Sequence, residues 1–354
     1  MHLKSVKKYI QFASVLLCLY IYFRNADTVI EAIRDGLYLC YDVVIPSLFM
    51  FMVICNTVSA MNCCELLAVP FMPFFRLINI NNRRIASYCL LAVMGGFAVG
   101  GVMLDKIRSE YECDENTIDI LSVLMTGNSP SFILLAVGVH YLGNLQLGIM
   151  IYVSIILSVF ATAFILSFIH KPNSIFATKS NLVITNNIVL SIKSAVTAII
   201  NICGIVTITF SLCKVLSLYM YNSFILLTVS SFFEVTSACE FMFEYLGKNV
   251  YLLSLILSLF PVSAYLQFKS IGNNNTLSLK TLFLSKLIQI PLAQLFLKTA
   301  VNLFPLVLNV YSSADISIIP YWNRPQVSFF FLLLALCFVI FFDNKKGVFT
   351  NTEK

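Results

Sequence analysis

The sequence predicts an all-α polytopic membrane helix bundle of about eight to ten spans, counting about 20 apolar residues per crossing. Three observations carry this. The 354 residues are 59% hydrophobic and only 11% charged, against roughly 45–50% and about 25% in soluble domains. Apolar runs succeed one another from residue 9 to residue 342 with short polar connections. The lysines and arginines sit in small groups between those runs, so the net charge of +6 does not describe a nucleic-acid surface, and no nucleic-acid partner is expected. The partner that the whole chain implies is the lipid bilayer.

Lys4, Lys7 and Lys8 precede the first run, 9–23. No small-x-small cleavage site follows, since Arg24, Asn25, Ala26 and Asp27 come next, so residues 1–26 read as a retained N-terminal membrane segment. By the positive-inside rule those lysines, with Lys345 and Lys346 in the tail 344–354, put both termini in the cytoplasm and require an even number of spans. Arg76, Arg83 and Arg84 fit a cytoplasmic loop, and the net acidic stretch 105–115 fits the opposite side. A mixed-charge helix over 27–41 runs into the segment 37–60. There Pro46 frees the Asp42 carbonyl from its helical partner, which makes either a plain kink or a polar contact at membrane depth. Further runs cover 85–103, 118–125, 132–141 and 145–168. Residues 171–188 form a polar linker, and 189–218, 224–245, 250–268, 277–308 and 327–342 follow it. The linker separates two membrane halves, 27–170 and 189–343, each with interrupted segments, as in transporters built from two repeats. The eleven cysteines lie mostly in apolar runs without C-x-x-C and read as small packing residues.

The sharpest local feature is Thr126-Gly127-Asn128-Ser129-Pro130, set between two runs too short to cross alone. Gly127 can end one helix in the left-handed conformation, Asn128 or Ser129 can cap the next, and Pro130 suits its first turn. In a helix broken inside the membrane, the second half would aim free N–H groups at the interior, a site for a carboxylate. An extramembrane turn between two short helices is the other reading. Gly95, Gly96, Gly100 and Gly101 on one segment allow close backbone approach or local unwinding, and serve packing or line a solute path. Glu234 stands near the centre of 224–245, where a charge is costly and marks a pathway, a relay or a partner. Glu240 lies six residues on, about 240° around a helix, so the two share a face only if the helix breaks at Thr236-Ser237. Pro261-Val262-Ser263 interrupts 250–268 and precedes Gln267, then a turn at 272–275 and a cap at Thr276. It is a candidate counterpart of the Asn128 break.

Signatures of membrane enzymes are missing. His2, His140 and His170 are scattered, and no H-E-x-x-H, G-x-S-x-G or P-loop occurs. No enzyme, metal or cofactor is expected.

At these residues the chain resembles the sporulation integral membrane protein YlbJ family, which carries the nucleoside-recognition or "Gate" domain, over roughly residues 27–304. Ile45-Pro46-Ser47-Leu48-Phe49 is similar to that family's I-P-S-L-F-P-F and Pro73-Phe74-Phe75-Arg76-Leu77 to its P-x-x-R-x-F. Residues 95–102 resemble G-G-Y-P-x-G-A-K, and Asn128-Ser129-Pro130-Ser131-Phe132 resembles N-x-S-P-x-F. Phe233-Glu234-Val235-Thr236 is similar to L-E-I-T-x-G, and 263–267 to S-V-x-x-Q. Ala98, Val102 and Ala238 replace the family's proline, lysine and glycine, and Phe260-Pro261 its double glycine.

The resemblance implies an endospore-forming bacterium, the outer forespore membrane, two Gate-like halves, and movement of dipicolinic acid, a small anionic solute. It implies a substrate set of Gly95, Gly96, Gly100, Asn128, Ser129, Pro130, Glu234, Thr236, Ser263 and Gln267. A non-transporting membrane factor of spore envelope assembly is the alternative, and self-association into a homo-oligomer stays open.

Overall fold

The computed structural model describes residues 2–61, 63–172, 177–178, 188–270, 277–304 and 316–317. Most of the linker 171–188, the turn at 272–275 with Thr276, the run 327–342 and the tail with Lys345 and Lys346 therefore lie outside the described residues.

The chain is a helical, multi-pass membrane protein. After α1 (His2–Arg24), α2 (Ala26–Leu39) and α3 (Ile45–Ser59) form one continuous stretch through a π-helical turn, Cys40–Val44. That turn absorbs Pro46: the Ile45 N–H reaches back to the Cys40 carbonyl. Asp42 is exposed, so the interruption is a kink and not a buried polar contact. A 3₁₀ segment (Cys64–Phe71) and α4 (Met72–Leu77) lead to α5 (Arg83–Glu110) and α6 (Glu115–Met125). Then come a π-helix, π2 (Phe132–Tyr141), α7 (Leu145–His170) and α8 (Ile188–Ser217). The second half continues with α9 (Ser223–Phe233), α10 (Val235–Tyr245), α11 (Val250–Ser258), α12 (Val262–Ser270) and α13 (Leu279–Leu303). Asparagines start four of these helices: Asn82, Asn144, Asn222 and Asn249 each accept from backbone N–H groups two or three residues on, satisfying donors that a helix start leaves free.

Four helical stretches, Ala26–Ser59, Arg83–Glu110, Leu145–His170 and Ile188–Ser217, are long and apolar enough to cross a membrane, with α11–α12 a fifth bent by 41°. The outer face of α7 is lined by exposed Leu145, Ile149, Val153 and Leu157, an apolar stripe at helical spacing that suits lipid. Length is misleading for α5, however. Its two ends would stand about 39 Å apart in a straight helix, yet Arg84 Nε lies 3.7 Å from Glu110 Oε2, and Tyr88 donates to the same carboxylate at 2.9 Å. The element reverses at Gly96, whose φ of 76° and ψ of −165° are non-helical, and returns to the face it left. Arg83, Arg84 and the acidic stretch after residue 105 therefore share one side, contrary to the charge-based expectation of opposite sides.

The pair α9–α10 also folds back. Leu226 and Phe241, on the two arms, join one apolar cluster with Cys213 of α8, and Lys214 pairs with Glu240 at 3.2 Å. Its turn is Glu234, the extended residue between the helices, not Thr236-Ser237.

By contrast, α6 and π2 together run antiparallel to α7 as one interrupted crossing. Asp119, near the start of α6, lies 3.6 Å from His170 at the end of α7. Only Leu142, Gly143 and Asn144 separate π2 from the start of α7. Helix α13 packs along α7, and Thr281 near its start donates to Asp119 at 2.6 Å.

The tip of the α5 hairpin is a specific constraint. Gly96 has positive φ, and a Cβ there would stand 2.9 Å from the Ser129 nitrogen. Gly96→Ala is expected to cost about 2–3 kcal/mol from strain and overpacking, lowering the thermal midpoint of the detergent-solubilised chain. An unchanged midpoint would contradict this tip.

Candidate functional site

Four interruptions meet at one level. They are the α5 tip at Gly96, the gap between α6 and π2, the Glu234 turn between α9 and α10, and residues 259–261 between α11 and α12. They border a narrow cleft with about 540 Å³ of atom-free space including its open mouth. Of the sequence-predicted residues, Gly95, Gly96, Asn128, Ser129, Glu234, Thr236, Ser263 and Gln267 line it. The rest of the lining is largely apolar, with Val44, Leu48 and Met52 of the first long stretch, Ile202 and Val206 of α8, and Phe97 and Phe132.

Two predicted residues stand elsewhere. Gly100 faces the last turn of α6, where a Cβ would strike the Met125 carbonyl oxygen, so it serves close packing. Pro130 is partly exposed and precedes π2 without lining the cleft.

The Asn128 break differs in detail from its sequence reading. Gly127 does not take positive φ. Ser129 is the cap, its Oγ accepting from the Phe132 N–H at 3.2 Å, while Asn128 turns away from π2 and donates its amide to the Leu257 carbonyl at 2.6 Å. Asn128 thus covers a carbonyl at the end of α11 that has lost its helical partner and ties two interruptions together.

Glu234 is 1% exposed and caps α10. Its Oε1 accepts from the Thr236 N–H at 3.0 Å and the Thr236 hydroxyl at 2.8 Å, and its Oε2 accepts from Thr209 of α8 at 3.1 Å. A carboxylate at a helix N-terminus is favoured by the helix dipole, and three donors offset its burial in a membrane protein. Ser263, at the start of α12, is 1% exposed, and its hydroxyl has no hydrogen-bond partner in the described structure.

Two contributors escaped sequence reasoning. Thr209 lies in an uninterrupted apolar run with no local mark. Lys286 of α13 is 8% exposed and donates to the Thr126 carbonyl at 3.1 Å and the Gln289 amide oxygen at 2.7 Å; its signal was a lone lysine inside the run 277–308. Among the described residues, no three His, Cys, Asp or Glu side chains converge on a metal position.

No family model, curated protein or solved structure matches this chain.

The Thr209–Glu234 contact links α8 to the hairpin turn. Thr209→Val is expected to cost about 1.5–3 kcal/mol and to have little further effect in a Glu234→Leu background. A thermal-unfolding double-mutant cycle with a coupling of about 1 kcal/mol or more is predicted. Strictly additive losses would contradict the contact.

Proposed function

We propose that this chain is a permease-like membrane protein that moves a small anionic solute, with the cleft as the solute site. The supporting observation is that interrupted helices from both sides of the linker converge on one small cleft, at breaks inside apolar segments. Broken backbone is tolerated there only where it is buried in protein or lines a cavity, and solute sites at such breaks are the usual arrangement of secondary transporters.

The order of elements supports a two-repeat reading. A hairpin, a broken crossing and an uninterrupted helix occur as α5, α6–π2, α7 and again as α9–α10, α11–α12, α13. Asn82 and Asn222 cap the two hairpins in the same way. The hairpins open toward opposite ends of α7. The ends of α5 lie toward His170: Arg108 contacts Glu115 at 3.9 Å, and β1 (Tyr111–Glu112) pairs with β2 (Ala177–Thr178) beyond α7. The α10 arm instead ends by π2, where Phe243 stacks on Tyr141 with ring centroids 4.9 Å apart. That opposition is what inverted repeats would give, and such repeats alternate access by rocking one against the other.

The anionic preference follows from the remaining dipoles. The N-termini of π2 and α12 open on the cleft beside Ser129 and Ser263, each equivalent to about half a positive charge. Glu234 also lines the cleft; its three donors stabilise its charge and reduce, without cancelling, its repulsion of an anion. A flat apolar body against Phe97, Phe132 and Met52, with carboxylates at the two helix ends, suits pyridine-2,6-dicarboxylate. The resemblance to the sporulation YlbJ family makes that dicarboxylate, dipicolinic acid, the first solute to test, in the outer forespore membrane.

Ser263→Ala and Gln267→Leu remove polar groups from the wall without removing a cap. Each is expected to reduce dipicolinate uptake into proteoliposomes at least tenfold, the equivalent of about 1.4 kcal/mol, at unchanged protein level and thermal midpoint. Uptake at the wild-type rate in both variants, or none by the wild type, would overturn the proposal.

A further inference from the structure

A helix that ends inside a membrane protein leaves carbonyls without partners and a partial negative charge. In transporters with discontinuous helices, such ends are where sodium or protons are held. The C-terminal end of α6 is one, and the Lys286 side chain already occupies it. The Lys286 ammonium lies 3.1 Å from the Thr126 carbonyl oxygen and 2.7 Å from the Gln289 amide oxygen. It also stands 5.8 Å from the centroid of the Phe260 ring. Among the described residues, no carboxylate lies within ion-pair distance of it. A carbonyl, an amide oxygen and an aromatic face are the surroundings of a bound monovalent cation, not of a lysine in a salt bridge. The position also joins two of the breaks: Phe260 belongs to the α11–α12 break and meets Phe97, next to the α5 tip, edge to face at 5.5 Å.

We propose that Lys286 is a tethered cation in the place a free coupling cation would otherwise take, so that solute movement through the cleft needs no sodium or potassium. A second unit charge about 4 Å from the ammonium, at an effective dielectric of about 20, would bind roughly a thousandfold more weakly than at the vacated site. This deepens the permease reading and rests on it for its meaning in transport, but its test needs no solute.

The experiment is the thermal midpoint of the purified full chain in sodium chloride, potassium chloride and N-methyl-D-glucamine chloride at equal ionic strength. The wild type is expected to give the same midpoint in all three. Lys286→Ala and Lys286→Met are expected to fall in N-methyl-D-glucamine and to regain about 2–4 °C, saturably, as sodium or potassium fills the vacated oxygens. Variants that can be purified folded only in an alkali salt give the same support. A wild type stabilised saturably by sodium or potassium would overturn the inference, and so would folded Lys286 variants indifferent to both. Either failure leaves the permease reading standing, since that reading falls on the uptake assay: no uptake by the wild type, or wild-type uptake by both the Ser263 and Gln267 variants.

Discussion

A backbone polar group in hydrocarbon must find its partner within the protein, because no water is there to supply one. Interruptions around the cleft create such groups; two are answered from another element and two by a cap within the same break. The Thr126 carbonyl receives Lys286 of α13, the Leu257 carbonyl receives Asn128, the Thr236 N–H donates to Glu234, and the Phe132 N–H donates to Ser129. None of the four breaks would be affordable alone. A single free group costs several kcal/mol in lipid, which is of the order of a whole protein's stability margin. Asn128 ties the α6–π2 break to the α11–α12 break, and Lys286 ties the end of α6 to α13.

The same ends set the electrostatics. The Lys286 amine meets a carbonyl at the C-terminal end of α6, and the Glu234 carboxyl meets an N–H at the N-terminal end of α10, each at the pole that suits it. The starts of π2 and α12 are left facing the cavity with Ser129 and Ser263. The cleft thus has a polar side made largely of backbone dipoles and a greasy side made of Val44, Leu48, Met52, Phe97 and Phe132.

Much of this was legible in the sequence because helix breaks are written locally. Asn128-Ser129-Pro130, Glu234 and Pro261-Val262-Ser263 each stand out against apolar neighbours, and all three reach the cleft. What was not legible is non-local. The run 85–103 has the length of a crossing, and nothing short of the contact between Arg84 and Glu110, 26 positions apart, reveals that it turns back at Gly96. Charge asymmetry then misled, since a hairpin puts its basic start and acidic end on one face. Gly127 looked like the helix terminator, but the strain sits at Gly96, where the backbone passes Ser129. Lys286 and Thr209 gain meaning only from carbonyls and carboxylates on other helices, which no periodicity in their own segments announces.

The central claim is that a small anion occupies the space between the starts of π2 and α12. Its most direct test is an electron cryomicroscopy map of the full chain in lipid nanodiscs, with and without saturating pyridine-2,6-dicarboxylate. The account predicts added density bounded by Ser129, Ser263 and Gln267, with one carboxylate at each helix end. Solute density anywhere else on the protein, with this cleft unchanged, would contradict it.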